Sequence, residues 1–155
     1  MTSRVHGVDL LPHRPPMRLV EEIADLVPGE SARGLRVAHP DDWYFQGHFP
    51  DDPVVPAIVL VELLAQTGGL AAASGGGQGD NPGRMLRVAA FGPFKFPGGA
   101  RPNQVLDARA RVAGKIGGII KIEGEVLADG VRVAVGSVTL ADVDVRQPEG
   151  HESRP

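Results

Sequence analysis

Residues 57–65, Ala-Ile-Val-Leu-Val-Glu-Leu-Leu-Ala, follow Pro56 with one polar side chain among them, Glu62. Proline has a fixed φ and no N–H to lose, so it suits the first turn of a helix. The spacing predicts a helix from Pro56 to about Ala73 with no polar face. A helix that is apolar all round is enclosed by protein, so the rest of the chain must supply a wrapper. Glu62 and Gln66 stand four apart, on one face. A charged carboxylate in apolar surroundings is disfavoured unless a partner or water supports it, so Glu62 is the residue most in need of a reason. Gly68-Gly69 and the two polar side chains make the run too short and too polar for a membrane span.

The wrapper is legible as strands. Met17–Val27 reads as a first strand, Pro28-Gly29 as a turn and Ser31–Ala38 as a second strand, before an irregular loop over Asp41–Pro53. After the helix, Ser74–Gly83 reads as a flexible glycine-rich connection; it lacks the flanking strand and Lys-Ser/Thr of a phosphate loop. Met85–Ala90 and the region of Phe94 follow as strands. In Gln104–Ala113, Leu106, Ala108, Ala110 and Val112 alternate with Asp107, Arg109 and Arg111, placing the charged set toward solvent. Ile120, Ile122 and Val126 continue that pattern. Asp129-Gly130 is a two-residue hairpin signal leading to Val131, Val133, Val135 and Leu140. A sheet with one apolar face needs a cover, and the economical solution is a curved antiparallel sheet rolled around the helix. The expected class is α+β, as one domain over residues 1–146 with a disordered tail over 147–155.

Composition closes several routes. The 155 residues contain no cysteine, which removes disulfides, thiolate nucleophiles and Cys-ligated zinc. His6, His39 and His151 lack ligand spacing, so no metal site is expected. The N-terminus shows no uninterrupted apolar segment of the secretory type, and a cytoplasmic protein is expected. The net charge of −3 hides an asymmetry. From Arg84 to Lys121 there are eight basic residues and one acid, Asp107. Such a stretch is either a set of solvated strand faces or a docking surface for an acidic partner. Nucleic acid is not indicated.

Three stretches together resemble a known family. They are Leu11-Pro12-His13-Arg14-x-Pro16-x-x-Leu19-Val20, Phe45-x-Gly47-His48-Phe49-Pro50-x-x-Pro53-Val54-x-Pro56, and Glu62-x-x-x-Gln66. Their pattern over residues 10–142, with fourteen positions from His48 to Glu62, is similar to the β-hydroxyacyl-acyl-carrier-protein dehydratases of the hotdog fold.

The resemblance implies a hydro-lyase that converts a 3-hydroxyacyl thioester to its trans-2-enoyl thioester in fatty-acid or related lipid or polyketide synthesis. It implies His48 as base, Glu62 as acid (directly or through a water) and the Ala57 N–H as oxyanion donor. The local chemistry agrees: imidazole is a base near neutrality, a carboxyl in apolar surroundings can keep its proton, and free amides at a helix start stabilise a developing oxyanion. Gly47, Phe49, Pro56, Gln66, Phe94 and Phe96 are expected around the substrate, with Gln66 satisfied within the buried face or orienting Glu62. Arg84, Arg87, Lys95 and Arg101 are the expected docking residues for an acidic acyl carrier protein. No cofactor is implied, the substrate riding on the carrier's phosphopantetheine. His13 and Arg14 are read as structural.

By the same resemblance, the histidine and glutamate of one site come from different protomers of a homodimer, or of a trimer of such dimers. The family usually has glycine where this chain has Asp51 and Ala57, and Asp51-Asp52 puts negative charge beside His48. Two rivals stand beside the dehydratase: an acyl-thioesterase in which Glu62 activates water, and a non-catalytic acyl-binding subunit of the same fold.

Overall fold

The computed structural model describes residues 7–73 and 84–145. After a 3₁₀ turn at Gly7–Leu10 come β1 (Glu22–Val27) and β2 (Ser31–Val37), a second 3₁₀ turn at Trp43–Phe45, and helix α1 (Ala57–Ala73). Four long strands follow: β3 (Arg84–Lys95), β4 (Val105–Ile116), β5 (Ile119–Ala128) and β6 (Val131–Asp144). The six strands form one antiparallel sheet in the order β1-β2-β4-β5-β6-β3, so β1 and β3 are its edges. The connection expected at Ser74–Gly83 and the tail from Gln147 lie outside the described residues.

The sheet curls over α1 as the patterns require. Leu60, Leu63, Leu64 and Leu70 of the helix are buried against Leu106, Ala108 and Ala110 of β4, Ile122 and Val126 of β5, and Val138 of β6. A fully buried leucine contributes about 1.5–3 kcal/mol relative to exposure, so these layers dominate stability. Helix and sheet approach closely where glycine removes a side chain. A Cβ on Gly68 would stand 2.5 Å from Ile122 Cγ2, and one on Gly124 would stand 2.8 Å from Leu64 Cδ1. The Asp129-Gly130 hairpin forms, with φ of 45° and 82°.

Several expectations need correction. The first strand begins at Glu22, not Met17. The Leu19 N–H instead donates to Gln66 Oε1 at 2.9 Å, and the Met17 carbonyl accepts from Gln66 Nε2 at 2.7 Å. A helix side chain thus serves the backbone there, and no ladder is needed. The pieces around Met85–Ala90 and Phe94 are one strand, and its register shifts between Val88 and Ala90 and between Phe91 and Phe94 absorb Pro93 on a sheet edge. Strand β6 runs past Leu140 to Asp144.

Asp107 is 8 % exposed, not solvated. It accepts from Arg33 Nε and Nη2 at 2.9 and 2.8 Å and from Arg109 Nη2 at 2.9 Å. Burial is the largest single influence on its carboxyl and pushes it up, but the hydrogen bonds from Arg33 and Arg109 outweigh it and hold the group below the ordinary carboxylate value.

Nor is the helix covered on every side. Ala57, Ile58, Val61, Glu62, Gly69 and Ala72 are exposed or half-buried, and Ile58 is 74 % exposed. Their spacing is that of one helical stripe. Val88 and Phe91 of the edge strand β3 are also exposed, Phe91 to 62 %.

Candidate active site

The loop that carries His48 is built on a buried polar cluster. Arg36 of β2 donates through Nη2 to Asp42 Oδ1 at 2.6 Å and through Nη1 to the Leu19 carbonyl at 3.1 Å. Tyr44 and the His39 N–H donate to Asp42 Oδ2 at 2.6 and 3.0 Å. Burial, the strongest influence on Asp42, raises it, yet the bonds from Tyr44 and Arg36 leave its carboxyl below the usual range. Burial and the bond to Asp42 push the Tyr44 phenol up to about 12. Beyond this cluster the chain turns through Gly47 at φ 85°, a conformation open to glycine.

His48 is half-buried, its ring stacked on Phe49 with centroids 4.2 Å apart. Its Nδ1 lies 2.9 Å from the Val54 carbonyl. A carbonyl can only accept, so Nδ1 carries the proton, and in the neutral ring Nε2 keeps a lone pair. The loop closes on itself through Phe49 N to Asp52 O and Asp52 N to Phe49 O, both 3.1 Å, and Val54 N to His48 O at 3.0 Å. Asp52 is ion-paired with Arg101, and the Val55 N–H donates to the Ala100 carbonyl at 2.8 Å. Half of the Asp51-Asp52 charge is therefore offset within the fold.

Helix α1 starts directly after this loop. Val59 and Leu60 both donate to the Pro56 carbonyl, while the Ala57 N–H has no hydrogen-bond acceptor among the described residues. Such an amide, at the positive end of the helix dipole, is a donor for negative charge. Ala57 lies in ordinary helical backbone, so its methyl carries no conformational penalty where the family usually has glycine.

Glu62 is not desiccated in the single chain, its side chain being 31 % exposed. Its Oε1 accepts from Gln66 Nε2 at 3.0 Å and lies 3.6 Å from His13 Nε2. It borders two apolar hollows. One, of about 360 Å³, is lined by Leu11, His13, Gln66, Gly69, Leu86 and Val88 among others. The second, of about 490 Å³, is lined by Met17, Leu19, Trp43, Ile58, Phe91 and Phe94. His48 lines neither. Phe94 thus joins the Glu62 side, and Phe96 stacks on it at 5.9 Å. His13, read as structural from sequence, stands beside the candidate acid. The Nε2 contact to Glu62 spans 49 positions and no local pattern announces it, while the buried Nδ1 has no hydrogen-bond partner among the described residues.

The basic candidates do not form one patch within the chain. Arg84 and Lys95 are the two ends of β3, roughly 35 Å apart at ~3.3 Å per residue. Arg84 pairs with Asp142 at 3.0 Å, and Arg101 belongs to the His48 loop through Asp52. Among the described residues no group of acidic, histidine or cysteine side chains could hold a metal, and no helix is long and apolar enough to cross a membrane.

Comparison with known proteins gives concordant matches. The FabA-like domain model matches residues 11–137. The 3-hydroxyacyl-[acyl-carrier-protein] dehydratase FabZ of Ruminiclostridium cellulolyticum is 33% identical over 133 residues, which is 86% of this chain and 92% of that protein. FabZ of a Roseiflexus species is 35% identical over 127 residues, covering 78% and 87%. Among solved structures, the dehydratase heterocomplex ApeI:P from Xenorhabdus doucetiae superposes with TM-score 0.70 at 17% identity, over 88% of this chain and 91% of that one. A variant of the phenylacetic acid degradation protein PaaI from Thermus thermophilus gives TM-score 0.60 at 17% identity, over 77% and 90%. These structural likenesses carry the fold alone, and that fold is the hotdog arrangement expected from the sequence.

Proposed function

Because this chain belongs to the FabA-like domain family, we propose that it removes water from a 3-hydroxyacyl thioester held on an acyl carrier protein, giving the 2-enoyl thioester for fatty-acid synthesis in the cytoplasm. The observation that carries the chemistry is the His48 ring. With Nδ1 committed to Val54 O, its Nε2 is a fixed and oriented base. It takes the α-proton; negative charge moves to the thioester oxygen, where the Ala57 N–H and the helix start receive it. The C–O bond at the β-carbon breaks as Glu62 delivers a proton to the departing hydroxyl, so one water leaves. No cofactor takes part, since every step is a proton transfer or a bond cleavage within the substrate.

Two such residues meet through a second copy of the chain. Glu62 opens onto hollows that His48 does not line, the α1 stripe from Ile58 to Ala72 is uncovered, and the outer edge of β3, whose other edge pairs with β6, meets no strand among the described residues. A homodimer that pairs β3 with β3 about a twofold covers both and sets His48 of one protomer against Glu62 of the other. An antiparallel pairing also brings Arg84 and Arg87 toward the partner's Lys95 and Arg101, assembling a basic rim for an acidic carrier.

The test is an assay of the pure protein on a 2-enoyl and a 3-hydroxyacyl thioester, with His48→Ala beside it. Reversible hydration by the wild type and a loss on the order of 10²-fold or more in the variant are expected. Release of free thiol instead of hydration would make the protein a thioesterase, and an unaffected variant would leave only an acyl-binding role.

A further inference from the structure

Glu62 acts as an acid only if its proton sits on the oxygen that faces the leaving hydroxyl, and the side chains behind it decide which oxygen that is. Resting on the dehydratase reading above, we propose that His13 is a positioning residue that, with Gln66, fixes Glu62 Oε1 as the carbonyl oxygen and leaves Oε2 to carry the acid proton.

The Gln66 amide has no freedom to flip. Its Oε1 accepts from the Leu19 N–H at 2.9 Å, so its NH₂ group must face the Met17 carbonyl, at 2.7 Å, and Glu62 Oε1, at 3.0 Å. That gives Oε1 one donor. His13 approaches the same oxygen from the entry segment, Nε2 to Oε1 at 3.6 Å. The other ring nitrogen decides the tautomer. Among the described residues the buried His13 Nδ1 has no hydrogen-bond partner, and a proton there would be a buried donor left unpaired. The ring proton therefore sits on Nε2, pointing at Glu62. A separation of 3.6 Å exceeds a formed N–H···O bond, and catalytic contacts commonly tighten when substrate closes the site. The segment is braced for this: Arg14 Nη1 donates to the carbonyls of Leu11 and His13 at 2.9 and 2.8 Å. His13, Glu62 and Gln66 also line one hollow, so the contact lies where substrate would close over it.

With two donors converging on Oε1, a carboxylic proton on that oxygen would collide with both, while a proton on Oε2 meets neither. The pair acts on the transition state through Glu62 and touches no substrate atom in this account. Its removal should therefore fall on kcat.

The experiment measures kcat and KM for hydration of a short 2-enoyl thioester by the wild-type protein and by His13→Phe, His13→Leu and His13→Gln. Thermal unfolding and oligomeric state are recorded for each. Phe and Leu keep apolar bulk and lose the donor; Gln sets a terminal N–H at similar reach. Losses of about 10-fold or more in kcat for Phe and Leu, with KM within about 2-fold and most of kcat restored in Gln, support the proposal. Should one apolar variant fail to fold, the other and the Gln rescue carry the same comparison. Wild-type kcat in the apolar variants, a change confined to KM, or a Gln variant as poor as Leu each overturn it while the dehydratase reading stands. A wild-type protein inert on both thioesters overturns that reading and this inference together.

Discussion

The Tyr44 hydroxyl donates to Asp42 Oδ2 at 2.6 Å, two positions away along the chain, with its ring buried beneath the loop that carries His48. Tyr44 is the only tyrosine in the protein. Its phenol is pushed up to about 12 by burial and by the Asp42 carboxylate, so the bond contributes stability that is complete below the ordinary tyrosine value of about 10 and is lost as pH rises through the folded value. Absorbance near the tyrosinate band should rise around pH 12 in the native protein and around 10 in denaturant. A native transition near 10 would mean that the cluster under the His48 loop is open to water.

Asp107 supplies the acid-side counterpart. Its carboxyl is held below the ordinary value of about 3.9, so its contribution is present above that pH and fades as pH falls through the lower folded value. Asp107→Asn should cost about 1 kcal/mol at neutral pH, at the low end of a buried charge pair because Arg33 and Arg109 are each nearly half exposed. Urea unfolding of variant and wild type at several pH values should show this gap closing below about pH 4. Asp42 titrates in the same window, which is why the difference between the two proteins is the quantity to follow.

Gly68→Ala tests how closely helix and sheet must approach. Alanine is worth up to about 1 kcal/mol over glycine inside a helix. Here the new methyl would meet Ile122 Cγ2 at 2.5 Å, and overpacking of that kind costs about 1–3 kcal/mol. The clash wins. We expect a lower unfolding temperature for Gly68→Ala, and a gain would show that the sheet yields there.

The proposed pairing of His48 with the Glu62 of a second copy predicts complementation. His48→Ala and Glu62→Gln should each be nearly inactive alone. After co-refolding in equal amounts, half of the dimers are mixed and each mixed dimer holds one intact site, so activity should return to about a quarter of wild type. Continued inactivity of the mixture would put both residues of a site on one chain.

Much of this was readable beforehand where a pattern repeats. The alternation of Leu106, Ala108 and Ala110 fixed the buried face of β4, and Asp129-Gly130 needed positive φ at both positions, as found. The motif around His48 and Glu62 identified the family. What stayed hidden depends on contacts distant in sequence. Asp107 looked solvated by alternation, but Arg33, 74 positions away, folds over it. The non-ladder backbone at Met17–Leu19 exists because Gln66 binds it, and the proximity of His13 to Glu62 depends on the same fold. Glu62, the one polar side chain in residues 57–65, marks the face of α1 that lies open, but a run otherwise apolar throughout gives no sign of how far the open stripe extends, from Ile58 to Ala72.

The exposed edge of β3, with Val88 and Phe91 outward, would make quantity itself a control on this protein under the proposed dimer. If catalysis requires that rim to be zipped to a second copy, turnover per polypeptide must fall on dilution while the circular dichroism of each protomer persists. The amount of chain in the cell would then set both how many sites exist and how well each one works.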